Sequence, residues 1–119
     1  MHELTILREL YRQLEKVARR YNARRVIRFR LQIGELANVV PSLLEEAFEY
    51  LKGAEPLLKD AVMEYEIVPL TLLCMDCGYM GEWRDRAVRC PDCGSLSVKV
   101  IDGEEMYLRD VELDIPDDD

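Results

Sequence analysis

A single histidine, His2, occurs in the 119 residues, so two-histidine metal chemistry fails by count and Ser–His or Cys–His chemistry has no histidine but this one. No P-loop, G-x-G-x-x-G or G-x-S-x-G is present, and the four cysteines fall into two CxxC pairs that leave no spare thiol. Without a nucleophile beside a base, or a metal with an open position, an enzyme is not expected. Long apolar runs are also missing. Nothing approaches the ~18 residues that a membrane span needs, and the start lacks the basic-then-apolar pattern of a secretory signal. No membrane association is expected, and the expected location is cytoplasmic. At roughly 100–200 residues per domain the length excludes a multi-domain enzyme.

Positive charge is in deficit, with 16 Lys and Arg against 24 Asp and Glu, a formal charge of −8. The imbalance is uneven. Residues 1–52 hold ten basic and seven acidic residues, whereas residues 53–119 hold six and 17. So acidic a chain is poorly suited to tracking a phosphate backbone, and nucleic acid is not an expected partner. Arg19, Arg20, Arg24, Arg25, Arg28 and Arg30 form a local exception, with no acid between them. Two readings stand: a solvated helix end and strand face, or a docking patch for an acidic partner.

What is present describes a folded chain, 49% apolar and 34% charged. Leu4, Leu7, Leu10, Tyr11, Leu14, Val17, Ala18 and Tyr21 recur at spacings of three and four, which predicts an amphipathic helix over about residues 4–21. From Val26 the period becomes two. Ile27, Phe29, Leu31 and Ile33 are placed on one face of a strand and Arg28, Arg30 and Gln32 on the other, with Gly34 at its end. Pro41 opens a second helix whose buried stripe is predicted as Leu43, Leu44, Ala47, Phe48 and Leu51, with Gly53 as the stop. Met63, Tyr65 and Ile67 mark a second strand. A third lies near Met106–Ile115, where the apolar parity changes and predicts one extra residue near Arg109–Asp110. Asp117–Asp119 is read as a frayed tail. The expected fold is α+β, two helices on a three-stranded sheet, with a four-cysteine zinc-ribbon module inserted. Its domains are residues 1–69 together with 104–119, and the ribbon 70–103.

Cys74-Met-Asp-Cys77-Gly and Cys90-Pro-Asp-Cys93-Gly are separated by 12 residues. Two residues between cysteines let both thiolates face one point, and four thiolates close a tetrahedral shell, the pattern of structural zinc. Disulfides are less suited to a reducing compartment. The two turns also resemble the knuckles of rubredoxin, an iron electron carrier, and sulfur ligands alone do not exclude iron. Rubredoxin spaces its knuckles more widely around an aromatic core, whereas Tyr79 and Trp83 are the only aromatics in this module. Trp83 is read as a packing residue.

At the amino terminus, the α-amine of Met1 with the amide and imidazole nitrogens of His2 can close adjacent chelate rings on one ion. The Glu3 amide can complete a plane of four nitrogens, a donor set that suits Ni(II) or Cu(II) rather than zinc. The Glu3 carboxylate is available as an outer partner.

These features together resemble the HypA/HybF family: Met1-His2-Glu3-Leu4 at the start, Arg30-Leu31-Gln32-Ile33-Gly34-Glu35-Leu36 ending the first strand, Val40-Pro41 opening the second helix, and the ribbon of Cys74, Cys77, Cys90 and Cys93. The resemblance implies a nickel metallochaperone for [NiFe]-hydrogenase maturation, and in some organisms for urease. It implies nickel, as transient cargo, at Met1, His2 and Glu3, and structural zinc on the four cysteines. Implied partners are a HypB-type GTPase, the hydrogenase large subunit and urease maturation proteins, and the family includes monomers and homodimers. Some archaeal members carry a longer insertion between the CxxC pairs with another nickel-binding histidine; this sequence has none there. The competing functions are a zinc-ribbon adaptor for protein interaction and a rubredoxin-like iron carrier.

Overall fold

The computed structural model describes residues 2–82 and 89–116, and the backbone alone of His2. Met1, the His2 side chain, Trp83 and Asp117–Asp119 lie outside the described residues. The chain divides into two compact units, one of Met1–Leu31, Val39–Tyr65 and Leu108–Asp119, the other of Gln32–Asn38 and Glu66–Tyr107. No described helix is long and apolar enough to cross a membrane.

Helix α1 spans His2–Arg20 and buries Leu7, Leu10, Leu14 and Ala18 along one stripe. It ends one residue earlier than its periodicity suggests, and Tyr21, placed in the stripe by spacing, is exposed. Asn22 adopts φ +55°, with Ala23 N–H bonding to Ala18 C=O and Asn22 N–H to Arg19 C=O. This left-handed closure satisfies the last carbonyls and turns the chain before Tyr21 can pack. Strand β1, Arg25–Gly34, follows. Val26 is buried and Ile27 exposed, the reverse of the expected alternation, while Phe29, Leu31 and Ile33 are buried as read. The change of parity between Val26 and Phe29 corresponds to one extra residue in the strand.

Helix α2, Pro41–Ala54, buries Leu44, Ala47, Phe48 and Leu51, and Phe48 meets Phe29 edge to face at 5.5 Å. Leu43 is exposed. Gly53 does not stop the helix, which runs through it to Ala54. The stop comes from Pro56, whose ring excludes the preceding Glu55 from the helical region, leaving it at φ −119°, ψ 111°. A short 3₁₀ turn, Pro56–Leu58, then places Leu58 and Ala61 at full burial.

Strand β2 is Val62–Val68, and strand β6 is Met106–Asp114, giving a sheet of order β2-β1-β6. Contacts Arg25–Asp60, Arg28–Glu64 and Gln32–Glu66 advance in step, so β1 and β2 run parallel around the α2 crossover. Arg25–Asp114, Arg28–Glu112 and Arg30–Asp110 advance in opposite senses, so β6 is antiparallel. Asp110 has φ +45°, and exposure changes parity there, which is the extra residue expected near Arg109–Asp110.

The second sheet, order β4-β3-β5, is antiparallel: β3 (Thr71–Cys74) pairs with β4 (Met80–Glu82) and β5 (Val98–Asp102). Its central strand buries Leu72 and Cys74. Gly34 in this unit lies against backbone. A Cβ there would stand 2.5 Å from the Gly103 carbonyl carbon and 2.8 Å from the Glu105 oxygen. Gly103 is in turn packed on Pro69 and Leu70 at φ +89°.

Candidate metal centre

The CxxC turns are built alike. Gly78 N–H bonds to Cys74 C=O at 3.1 Å and Gly94 N–H to Cys90 C=O at 2.9 Å, with φ near +79° and +76° at the two glycines. A side chain at that φ is strained, which is why each CxxC is followed by glycine. Cys74 N–H bonds to Tyr79 C=O and Cys90 N–H to Ser95 C=O, closing each turn. In each pair the first cysteine, Cys74 or Cys90, is buried and the second, Cys77 or Cys93, is exposed. A hydrogen bond from Ser95 Oγ to Asp76 ties one turn to the other, a link that CxxC spacing does not reveal.

All four Sγ atoms lie within 4.8 Å of one another, with Cys74···Cys93 and Cys77···Cys90 each at 3.6 Å. A tetrahedral ion with metal–sulfur bonds of about 2.3 Å needs sulfur–sulfur edges of about 3.8 Å. The residues fit such an ion. Amides are aimed at the sulfurs: Cys77 N–H at Cys74 Sγ, and Asp92 and Cys93 N–H at Cys90 Sγ, each at 3.4 Å. The Cys77 amide, followed by that of Asp76, holds the Cys74 thiol down to about 7. Cys77 is pushed up to about 12. The Tyr79 amide pulls it down, but desolvation and the neighbouring sulfurs outweigh that pull. Four thiolates this close repel unless a cation sits among them, so full ionisation is linked to metal binding. With four protein sulfurs the shell is closed, which fits a structural ion.

The amino-terminal residues are placed differently. Glu3 sits in the first turn of α1, and its carboxylate accepts the Val40 N–H at 3.4 Å, at the residue that caps α2. Val40 offers no side-chain cap of its own. Beside Glu3 opens a cleft of about 280 Å³ lined also by Leu4, Leu43, Glu46, Ala47 and Tyr50. The structure thus joins Glu3 to α2. Sequence reading missed that partner, although Val40-Pro41 already marked a helix start with an unfilled cap. The sheet arginines are matched within the chain: Arg25 by Asp114 and Asp60, Arg28 by Glu64 and Glu112, Arg30 by Asp110. For β1 this favours the solvated strand face over a patch awaiting an acidic partner.

A family model described as "Hydrogenase/urease nickel incorporation, metallochaperone, hypA" matches residues 1–113. This chain belongs to the HypA family. A hydrogenase maturation factor HypA of Aquifex aeolicus is 38% identical over 115 residues, 97% of this chain and 99% of that protein. One of Shewanella halifaxensis is 40% identical over 114 residues, with 96% and 98% covered. The solution structure of the Ni metallochaperone HypA from Helicobacter pylori superposes with a TM-score of 0.72 at 26% identity, covering 96% and 98% of the two chains. The HypA family is one of metallochaperones in hydrogenase maturation, not of catalysts, and the four-cysteine site of this member fits zinc.

Proposed function

We propose that this chain carries Ni(II) at its amino terminus and delivers it during [NiFe]-hydrogenase maturation, while Cys74, Cys77, Cys90 and Cys93 hold structural zinc. The observation that supports this most is that the family match begins at residue 1, so His2 and Glu3 fall inside it. The nickel ligands in this reading are the Met1 amine, the His2 amide and imidazole, and the Glu3 amide.

Helix geometry favours the chelate. The first-turn amides of α1 have no intrahelical carbonyl to bond, so removing the His2 and Glu3 amide protons breaks no helix hydrogen bond. A helix start carries roughly half a positive charge and repels a cation. Loss of two amide protons on binding reverses that sign. The Glu3 carboxylate, held on the Val40 amide, stays beside the ion as an outer group. When bound, zinc supplies a cross-link that fixes both CxxC turns and adds folding free energy to a module with little core.

Release follows from protonation. The α-amine and imidazole have reference values of ~7.7–8.0 and ~6.5, so protons compete with nickel near neutrality. Recipients in this reading are the hydrogenase large subunit and, in some settings, urease maturation proteins. A HypB-type GTPase accompanies transfer, and a homodimer is compatible with it. The location is the cytoplasm, where paired CxxC thiols stay reduced. The domains are residues 1–69 with 104–119 for nickel and 70–103 for zinc.

Acetylation of the Met1 amine tests the chelate. It removes one nitrogen and leaves every side chain intact. Nickel uptake should be lost while zinc stays at one per chain; unchanged nickel uptake would reject the terminal site.

A further inference from the structure

We infer that the open edge of β2, beside α2, is a docking site for an extended basic segment of a partner protein, which adds to the sheet as a further strand. The inference stands apart from nickel binding. Strand ends in a sheet expose unpaired backbone groups, and proteins commonly blunt them with bulges, brevity or inserted charge. Among the described strands, three of the four sheet ends are blunted in this way. β6 carries the Asp110 bulge, β4 has three residues, and β5 has Lys99 near its middle. β2 is an end strand of seven residues, Val-Met-Glu-Tyr-Glu-Ile-Val, with no proline, lysine or arginine, and its two charges, Glu64 and Glu66, are engaged by Arg28 and Gln32 of β1.

The backbone phase tells which groups are open. Val68 C=O accepts the Glu35 N–H at 2.9 Å on the β1 side. Successive residues of a strand direct their N–H and C=O to opposite sides, so Glu64 faces β1 and Met63 and Tyr65 face outward. Beside them runs a groove of about 610 Å³, with Val62 and Met63 on the strand side, Glu45, Glu46 and Glu49 on the α2 side, and Phe48 below. Val62 is 53% exposed. Lys52 also lines the groove, but its ammonium stands 5.6 Å over the Phe48 ring. Tyr65 Oη donates to Glu45 at 3.1 Å, holding strand and helix at a fixed spacing.

Charge selects the occupant. A second copy pairing through its own β2 would bring these glutamates toward an identical set, an unfavourable match. A strand with Lys or Arg at every second position would hydrogen-bond the Met63 and Tyr65 backbone while its cations reached Glu46 and Glu49. Backbone pairing gives such a complex its affinity and the alternating side chains give specificity.

The test uses the full, zinc-loaded, isotope-labelled chain and a short blocked peptide alternating lysine and valine, with a glutamate–valine peptide as comparison. The lysine peptide should slow hydrogen exchange at the Met63 and Tyr65 amides, leave the Glu64 amide, which faces β1, unchanged, and bind more weakly as salt rises. Joint Glu46→Lys and Glu49→Lys substitution should weaken binding about tenfold, the size of two lost ion pairs. Glu9→Lys, on the exposed face of α1, should leave binding unaltered. Three results would overturn the inference: protection at β5 or β6 instead, equal binding of the glutamate peptide, or concentration-dependent protection of Met63 and Tyr65 without peptide, which would mean that a second copy takes the edge. The salt dependence of the parent chain keeps the test decisive if the double variant fails to fold.

Discussion

The Glu3 carboxylate accepts the backbone hydrogen of Val40, binding the first turn of α1 to the cap of α2. Glu3 therefore has two separable parts: an amide nitrogen that the proposed chelate would use and a carboxylate that meets the Val40 amide. Glu3→Ala removes the second and keeps the first. The expected outcome is a loss of about 1 kcal/mol in unfolding free energy, a shifted Val40 amide resonance, and one nickel still bound per chain. Nickel stoichiometry falling to zero would make the carboxylate itself a ligand.

Gly34→Ala is expected to destabilise by about 1–3 kcal/mol, because its methyl would meet Gly103 and Glu105 backbone, which is harder to displace than a side chain. Gly53→Ala, where an added Cβ has nothing within 4 Å, is expected to be neutral or stabilising. Chemical denaturation of both variants checks the contrast.

Much of this was legible in the chain, for reasons that can be named. Helical period located α1 and α2, and the parity change at Arg109–Asp110 located a bulge that φ at Asp110 confirms. CxxC spacing located four sulfurs that the structure gathers. What escaped depends on partners distant in sequence. Leu43 fits the α2 stripe by spacing yet is 45% exposed, because it borders the cleft beside Glu3 rather than the Phe29 side. Val26 and Ile27 are both apolar, so alternation alone could not decide which turns inward. The arginines of β1 have no acid near them in sequence, and their carboxylates arrive on β2, β6 and Asp60 through the fold.

Acid should weaken the start of this charged sheet face in a definite direction. The Arg25 hydrogen bond, aided by the charges of Arg24 and Arg25, holds Asp114 below the ordinary carboxylate range, and Arg25 also faces Asp60. A depressed carboxylate stabilises the fold fully above its unfolded pKa, ~3.9, and the contribution is lost as pH falls through the lower folded value. Asp114→Asn should therefore lower the melting temperature at pH 7 and change it little at pH 2. Equal effects at both would mean that Asp114 acts by packing.

Metal removal should act on the ribbon. Stripping zinc with a strong chelator should abolish amide protection in β3, since metal binding of this kind is worth on the order of 10 kcal/mol to a small module. Helical circular dichroism from α1 and α2 should persist. Cys74→Ser and Cys77→Ser should each reduce zinc below one per chain, with the buried Cys74 costing more stability. Full zinc retention in either variant would contradict a four-sulfur shell.

The most direct test counts metals. The chain is made with a native, untagged Met1, exposed to nickel, desalted and measured by elemental analysis beside His2→Ala. One zinc in both proteins with one nickel only in the parent is the expected result. Equal nickel in both, or none in either, would contradict a terminal chelate that depends on His2.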